Sequence, residues 1–164
     1  MAYEREARRY LAGHNFVLMK TRVWPVVTLL LLLLGYMGYY LCRANFAVVT
    51  PLLLKDVDVL GLDKTHIAYI AAFGTLMYTL GKLFNGLLGD FVGGKVMFVL
   101  GMAASVIATI YSSTALGFST LLAGWGANRL AQSAGWGALA KTTAQWFSYR
   151  QYGRIMGLLS LSFL

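Results

Sequence analysis

Apolar residues fill this chain in long blocks, separated by short polar or glycine-bearing turns. A helix needs roughly 20 predominantly apolar residues to cross a hydrocarbon core. By that measure the blocks predict membrane spans over residues 24–49, 66–89, 95–113 and 119–140, the last with a polar continuation to Phe147. A fifth block starts near Arg154 and reaches Leu164, half a span. Such short connections make consecutive spans antiparallel neighbours in a tight bundle. Glycine punctuates the blocks at Gly74, Gly81, Gly86, Gly101, Gly124, Gly126, Gly135 and Gly137. Within a bilayer, small residues let helix backbones approach closely. The expected fold class is an all-α membrane protein, with a helical bundle over residues 24–164.

Composition removes the main alternatives. With 59% hydrophobic residues against 12% charged, a water-soluble domain could not cover its own apolar side chains. The formal charge of +8 would suit a nucleic-acid partner in a soluble chain, but no nucleic-acid-reading motif is present. Cytoplasmic loops and cations within the spans account for it instead. Eight Lys and Arg lie in the first 23 residues, the 89–95 turn and the 148–154 loop, against Lys55 and Lys64 on the opposite side. This asymmetry predicts a multi-pass protein of a plasma membrane, in bacteria the inner membrane, with a cytoplasmic N-terminus. In residues 1–23, Tyr3, Ala7, Tyr10, Leu11 and His14 recur at helical spacing. That fits an interfacial helix lying on the membrane or a cytoplasmic tail, and no cleavage site follows the first apolar run. The single cysteine, Cys42, reads as a small packing residue. His14 and His66 are isolated, and no metal-ligand cluster, nucleophile–base pair or phosphate-cradling loop is seen. Neither a cofactor, a metal nor an enzymatic activity is expected.

Four cations change the picture, because Arg43, Lys82, Arg129 and Lys141 fall inside the apolar blocks. All six acids, Glu4, Glu6, Asp56, Asp58, Asp63 and Asp90, lie in polar segments or at a span end. A charge at mid-membrane costs at least ~2.5–3.5 kcal/mol on insertion scales. Unanswered cations there point to an anionic ligand. Tyr36, Tyr40 and Arg43, spaced i, i+4, i+7, share a helix face. The Arg43 guanidinium offers a planar fork that matches phosphate or carboxylate, and both phenols can donate to the same anion. The alternative is an arginine snorkelling to the outer interface. Tyr78, Lys82, Asn85 and Gly89 share a face of the second span, where Lys82 is too deep to snorkel comfortably. Arg129, Gln132 and Trp136 line up in the fourth span. Arg129 suits a structural role, bonding carbonyls or polar groups of the first two spans, and Lys141 suits a lysine reaching the headgroups.

The stretch Gly86-Leu-Leu-Gly-Asp90-Phe-Val-Gly93-Gly-Lys95 resembles the loop motif of the major facilitator superfamily, G-x-L-x-D-R-x-G-R-K. Gly86, Leu88, Asp90, Gly93 and Lys95 match, while Phe91 and Gly94 stand where arginines are usual. Arg129-Leu-Ala-Gln132-Ser-Ala-Gly135 is similar to the fourth-span motif R-x-x-Q-G-x-G, with Ser133 in place of the first glycine. The run from Gly35 to Phe46, with Pro51 beyond, resembles the first-helix signature of the organophosphate:phosphate antiporters, the group of glycerol-phosphate and hexose-phosphate carriers. Gln132, Gly135, Trp136, Lys141 and Trp146 also fit its fourth-helix pattern. Ala44 replaces a frequent lysine, and Phe163 stands where some members carry a histidine.

This resemblance implies that Arg43 binds substrate phosphate and that Lys82 lines the same path, with Tyr36, Tyr40 and Trp136 shaping the site. Arg129, Gln132, Asp90, Gly86 and Lys95 would be structural or pathway residues. It further implies an exchanger of an organic phosphate for inorganic phosphate, working by alternating access between two six-helix halves. This chain would hold most of the N-terminal half, with the C-terminal half missing. Other readings stay open: a facilitator of a carboxylate or nitrate, a membrane sensor of a phosphorylated sugar, or a truncated chain inactive by itself.

Overall fold

The computed structural model describes the backbone of residues 2–55 and 61–163 and the side chains of 23–55 and 61–162. Helix α1 runs over Ala2–Leu53, α2 over Lys64–Val92, α3 over Gly94–Ser113, α4 over Phe118–Trp146 and α5 over Tyr149–Ser160, followed by a 3₁₀ turn at Leu161–Phe163. No strand occurs among the described residues. The interfacial character suggested for residues 1–23, and the side chains of Asp56, Asp58 and Phe163, lie outside the described residues.

Local chemistry sets the helix ends. Asp63 caps α2: its carboxylate accepts from the His66 amide at 2.7 Å, and His66 Nδ1 accepts from the Asp63 amide at 3.3 Å. This reciprocal box satisfies two amide donors that a helix start leaves open. His66 is therefore a capping residue, with its ring 4.8 Å from that of Phe118. Between α2 and α3 the chain turns on Gly93 alone, at φ +89°, a conformation that a Cβ opposes. Ser148 and Gln151 form a second capping box at the start of α5. That helix opens at Tyr149, ahead of the apolar block expected from Arg154, because the cap rather than hydropathy fixes its start.

Helix α4 is the centre of the bundle. It packs along α2 on one flank and α3 on the other, and α1 lies across α4 and α3. Small residues allow the approach. A Cβ on Gly81 would strike Ser133, one on Gly74 the Trp125 ring, one on Gly126 the Phe73 ring, and one on Gly101 would press on the Ala131 carbonyl. The glycine pattern thus marks packing at these positions, but not at Gly86 and Gly137, where nothing lies within 4 Å.

Among the described residues, three helical segments are long and apolar enough to cross a membrane: Val23–Leu53, Lys64–Val92 and Gly94–Ser113. Helix α4 has the length for it, at 29 residues, but it carries Asn128, Gln132, Ser133, Thr142 and Thr143, all buried. Its polar groups face its neighbours. Leu31, Leu41, Leu83, Leu87 and Ile107 stand exposed on the outside of the other helices, as an integral membrane protein requires of its lipid-facing surface.

Candidate anion-binding site

A polar chain crosses the bundle from α3 to α1. Asn128 Nδ2 donates to the Ser105 carbonyl at 3.0 Å and to Thr109 Oγ1 at 2.7 Å. Gln132 Nε2 donates to Asn128 Oδ1 at 2.6 Å, which leaves Gln132 Oε1 to accept from Arg43 Nε at 3.1 Å. Ser105, Asn128 and Gln132 are all buried, so each bond satisfies a polar group removed from solvent and orients the next group. The result fixes the Arg43 guanidinium at the end of a rigid relay. A second donor, Nη1, reaches Tyr40 Oη at 3.4 Å.

Around this arginine the side chains converge on one ring. The Arg43 guanidinium carbon is 5.2 Å from the centroid of Tyr78, Lys82 Nζ is 5.0 Å from it, and the Arg129 guanidinium carbon is 4.7 Å from it. Arg43 also lies 5.0 Å from the Tyr40 ring, and Arg129 5.8 Å from that of Trp125. Three positive charges thus gather on a single phenol, supplied by α1, α2 and α4. Each cation–π contact contributes about 0.5–2 kcal/mol, less than the ~2.5–3.5 kcal/mol cost of a charge at mid-membrane. A single such contact, as Lys82 makes, does not offset that cost. Lys82 and Arg129 make no hydrogen bond or ion pair to any described residue. The described acids, Asp63 and Asp90, are engaged elsewhere.

Tyr36 sits beside this cluster rather than in it. Buried, its ring lies 5.5 Å from Tyr40 and 5.5 Å from Trp136, and 6.0 Å from Tyr39. Trp136 and Lys82 line a cavity of about 390 Å³ that also takes in Asn85, Gly86, Asp90 and Lys141. Tyr36, Tyr40, Arg43, Lys82 and Trp136 are therefore neighbours in space, as their helix faces suggested. Asn85 is diverted: its amide donates to Ser133 Oγ at 2.7 Å and to the Leu130 carbonyl at 3.1 Å, tying α2 to α4.

Two expectations need correction. Arg129 meets no carbonyl; it stacks on aromatic rings, because the Tyr78 face of α2 is what α4 presents it with. Lys141 does not rest as a free headgroup lysine: Nζ donates to Asp90 Oδ1 and to the Gly89 carbonyl, each at 2.8 Å. One of the four cations is thus answered by an acid, since the end of α2 lies against the last turns of α4. That ion pair joins the end of α2 to α4 even though Phe91 and Gly94 replace the motif's arginines. Lys95 stacks 4.5 Å over the Trp146 ring at the same end of the bundle, while Gly86 borders the cavity without close packing. Tyr78 as a hub and Asn128 in the relay were missed as site residues. The i, i+4 spacing of Asn128 and Gln132, and of Tyr78 and Lys82, is the signal that held them.

The helices are those of an integral membrane protein, with a cationic cluster gathered among α1, α2 and α4. Residues 32–164 match the model of the Major Facilitator Superfamily, and the chain belongs to that family. Within it, the chain is similar to transporters named for phosphorylated solutes. It is similar to a phosphoglycerate transporter protein of Salmonella typhimurium, at 30% identity over 85% of this chain and 29% of the relative. A glycerol-3-phosphate transporter of Bacillus subtilis shares 28% identity over 79% of this chain and 29% of the relative. A probable hexose phosphate transport protein of Chlamydia trachomatis shares 24% over 86% and 30%. The chain spans about 30% of the length of these curated relatives. They are transporters, not enzymes. No solved structure matches the chain.

Proposed function

We propose that this chain forms the N-terminal, phosphate-binding part of a carrier that exchanges an organic phosphate for inorganic phosphate by alternating access. The observation that carries this reading is the gathering of Arg43 and Lys82 on Tyr78 with no described carboxylate among them. Relatives named for phosphorylated solutes support it. Arg43 is the principal ligand: the relay through Gln132 holds Nε and turns the rest of the fork toward the anion. Lys82 supplies a mobile second charge. Tyr40 donates its hydroxyl alongside, and Tyr36 and Trp136 wall the site. A bound phosphate neutralises the cluster, so a loaded carrier reorients across the hydrocarbon core more readily than an empty one. That favours exchange over net flux. The Lys and Arg asymmetry orients the N-terminus to the cytoplasm of the plasma or bacterial inner membrane.

The test is Arg43→Lys in the carrier made from the complete reading frame and reconstituted in liposomes. A point charge cannot replace the planar fork, so phosphate exchange should be lost while membrane insertion is kept. Full exchange by that variant overturns the assignment. Binding of organic phosphate by the unaltered protein without counterflow would instead make it a sensor.

A further inference from the structure

Three cations are more than one phosphate needs. A phosphomonoester carries about −1.5 to −2 charges near pH 7, and Arg43 with Lys82 already matches that. Arg129 remains, with its guanidinium 4.7 Å from the same Tyr78 centroid and no hydrogen bond or ion pair to a described residue. All three charges lie within 5.2 Å of that centroid, so no two are separated by more than twice that distance. A short carbon chain spans such a gap. The Trp125 ring, itself stacked on Phe46 at 4.4 Å, braces Arg129 from its own helix. That leaves the guanidinium held in place with its five donors unspent.

We infer that Arg129 binds a second anionic group of the substrate, and that the site takes a phosphorylated carboxylic acid. The inference rests on the reading of Arg43 and Lys82 as a phosphate site. The phosphoryl group occupies those two, and the carboxylate meets the Arg129 fork, whose spacing suits two parallel hydrogen bonds to a carboxylate. Substrate and cluster then balance in charge. A phosphorylated alcohol of the same length leaves Arg129 unanswered.

Glycerol 3-phosphate and 3-phosphoglycerate serve as paired probes, since they differ at the carboxylate. Counterflow of each against trapped inorganic phosphate is measured in liposomes holding the carrier made from the complete reading frame. The unaltered carrier should favour the phosphorylated acid in kcat/KM by at least about tenfold, the discrimination a charge-assisted pair supplies. Arg129→Gln should lower both substrates and cut that ratio roughly tenfold, with Arg129→Lys in between because it keeps charge but not the fork. An unchanged ratio in both variants overturns the inference, and the Lys variant decides alone if the Gln variant does not insert. Exchange of glycerol 3-phosphate without preference for the acid overturns this inference only. Exchange of neither probe overturns the phosphate site itself.

Discussion

The Lys141 ammonium lies 2.8 Å from Asp90 Oδ1 and 2.8 Å from the Gly89 carbonyl oxygen, which ties the end of α2 to α4. The two contacts differ in environment. The Asp90 side chain is 75% exposed and that of Lys141 only 32%, so the ion pair is partly screened while the carbonyl bond is more protected.

Asp90→Asn should therefore cost little, about 0.2–1 kcal/mol, as exposed pairs do. Lys141→Met removes both contacts and a cation near the C-terminal end of α2, where positive charge is favoured. It should cost more, about 1–2 kcal/mol. Denaturant unfolding in detergent, followed by tryptophan fluorescence, measures both. Equal losses would mean that the carbonyl bond contributes nothing.

Two glycines of the 86–95 motif should respond with opposite sign. A Cβ on Gly94 would sit 2.7 Å from Thr142 Oγ1 and 2.9 Å from the Ala138 carbonyl oxygen. The carbonyl belongs to helix backbone and cannot step aside. Gly94→Ala should destabilise by about 1–3 kcal/mol, the cost of overpacking. Gly86 is helical with nothing near its missing Cβ, so Gly86→Ala should stabilise by about 0.5–1 kcal/mol. The same unfolding assay settles both.

The cap of α2 should loosen in acid. The His66 backbone amide, donating to the Asp63 carboxylate, holds that carboxyl below its usual pKa. A depressed folded pKa makes the cap's contribution complete above the unfolded value, and it is lost as pH falls through the folded one. Amide exchange at His66 and Ile67, corrected for intrinsic rates, should show protection that falls at acid pH below the ordinary carboxylate range. Asp63→Asn should make that protection independent of pH.

Hydropathy and spacing made much of this molecule legible. Blocks of apolar residues coincide with α2 to α4 and with the second half of α1, a helix that already runs from Ala2, and the i, i+4, i+7 rule put Tyr36, Tyr40 and Arg43 on one face, where the structure has them. Periodicity assigns a side chain to a face of its own helix, however, and says nothing of which neighbour meets that face. Tyr39 therefore went unnoticed: its hydroxyl donates to the Phe98 carbonyl at 2.7 Å, away from the cation cluster. For the same reason sequence spacing does not pair Lys141 with Asp90, 51 positions away, and it groups Asn85 with Lys82 although Asn85 bonds α4. Gly86 and Gly137 looked like packing glycines because a glycine's spacing does not reveal whether a partner helix passes over it.

Gln132 separates the scaffold from the site most sharply. Its amide both accepts from Arg43 and donates into the buried Asn128 relay. Gln132→Leu should leave polar atoms unpaired on each side, at a cost of about 1–3 kcal/mol. Gln132→Glu is nearly isosteric; it adds a negative charge and gives up the Nε2 donor to Asn128 Oδ1. A carboxylate at Oε1 would pair with the Arg43 guanidinium 3.1 Å away and compete with an incoming anion. Folding should survive, while the apparent affinity for inorganic phosphate falls by at least about tenfold, since a charged hydrogen-bonded pair must be broken before the anion binds. Phosphate exchange kinetics across a concentration series would reveal this as a raised KM. An unchanged KM in a folded Gln132→Glu carrier would show that Arg43 does not hold the phosphate.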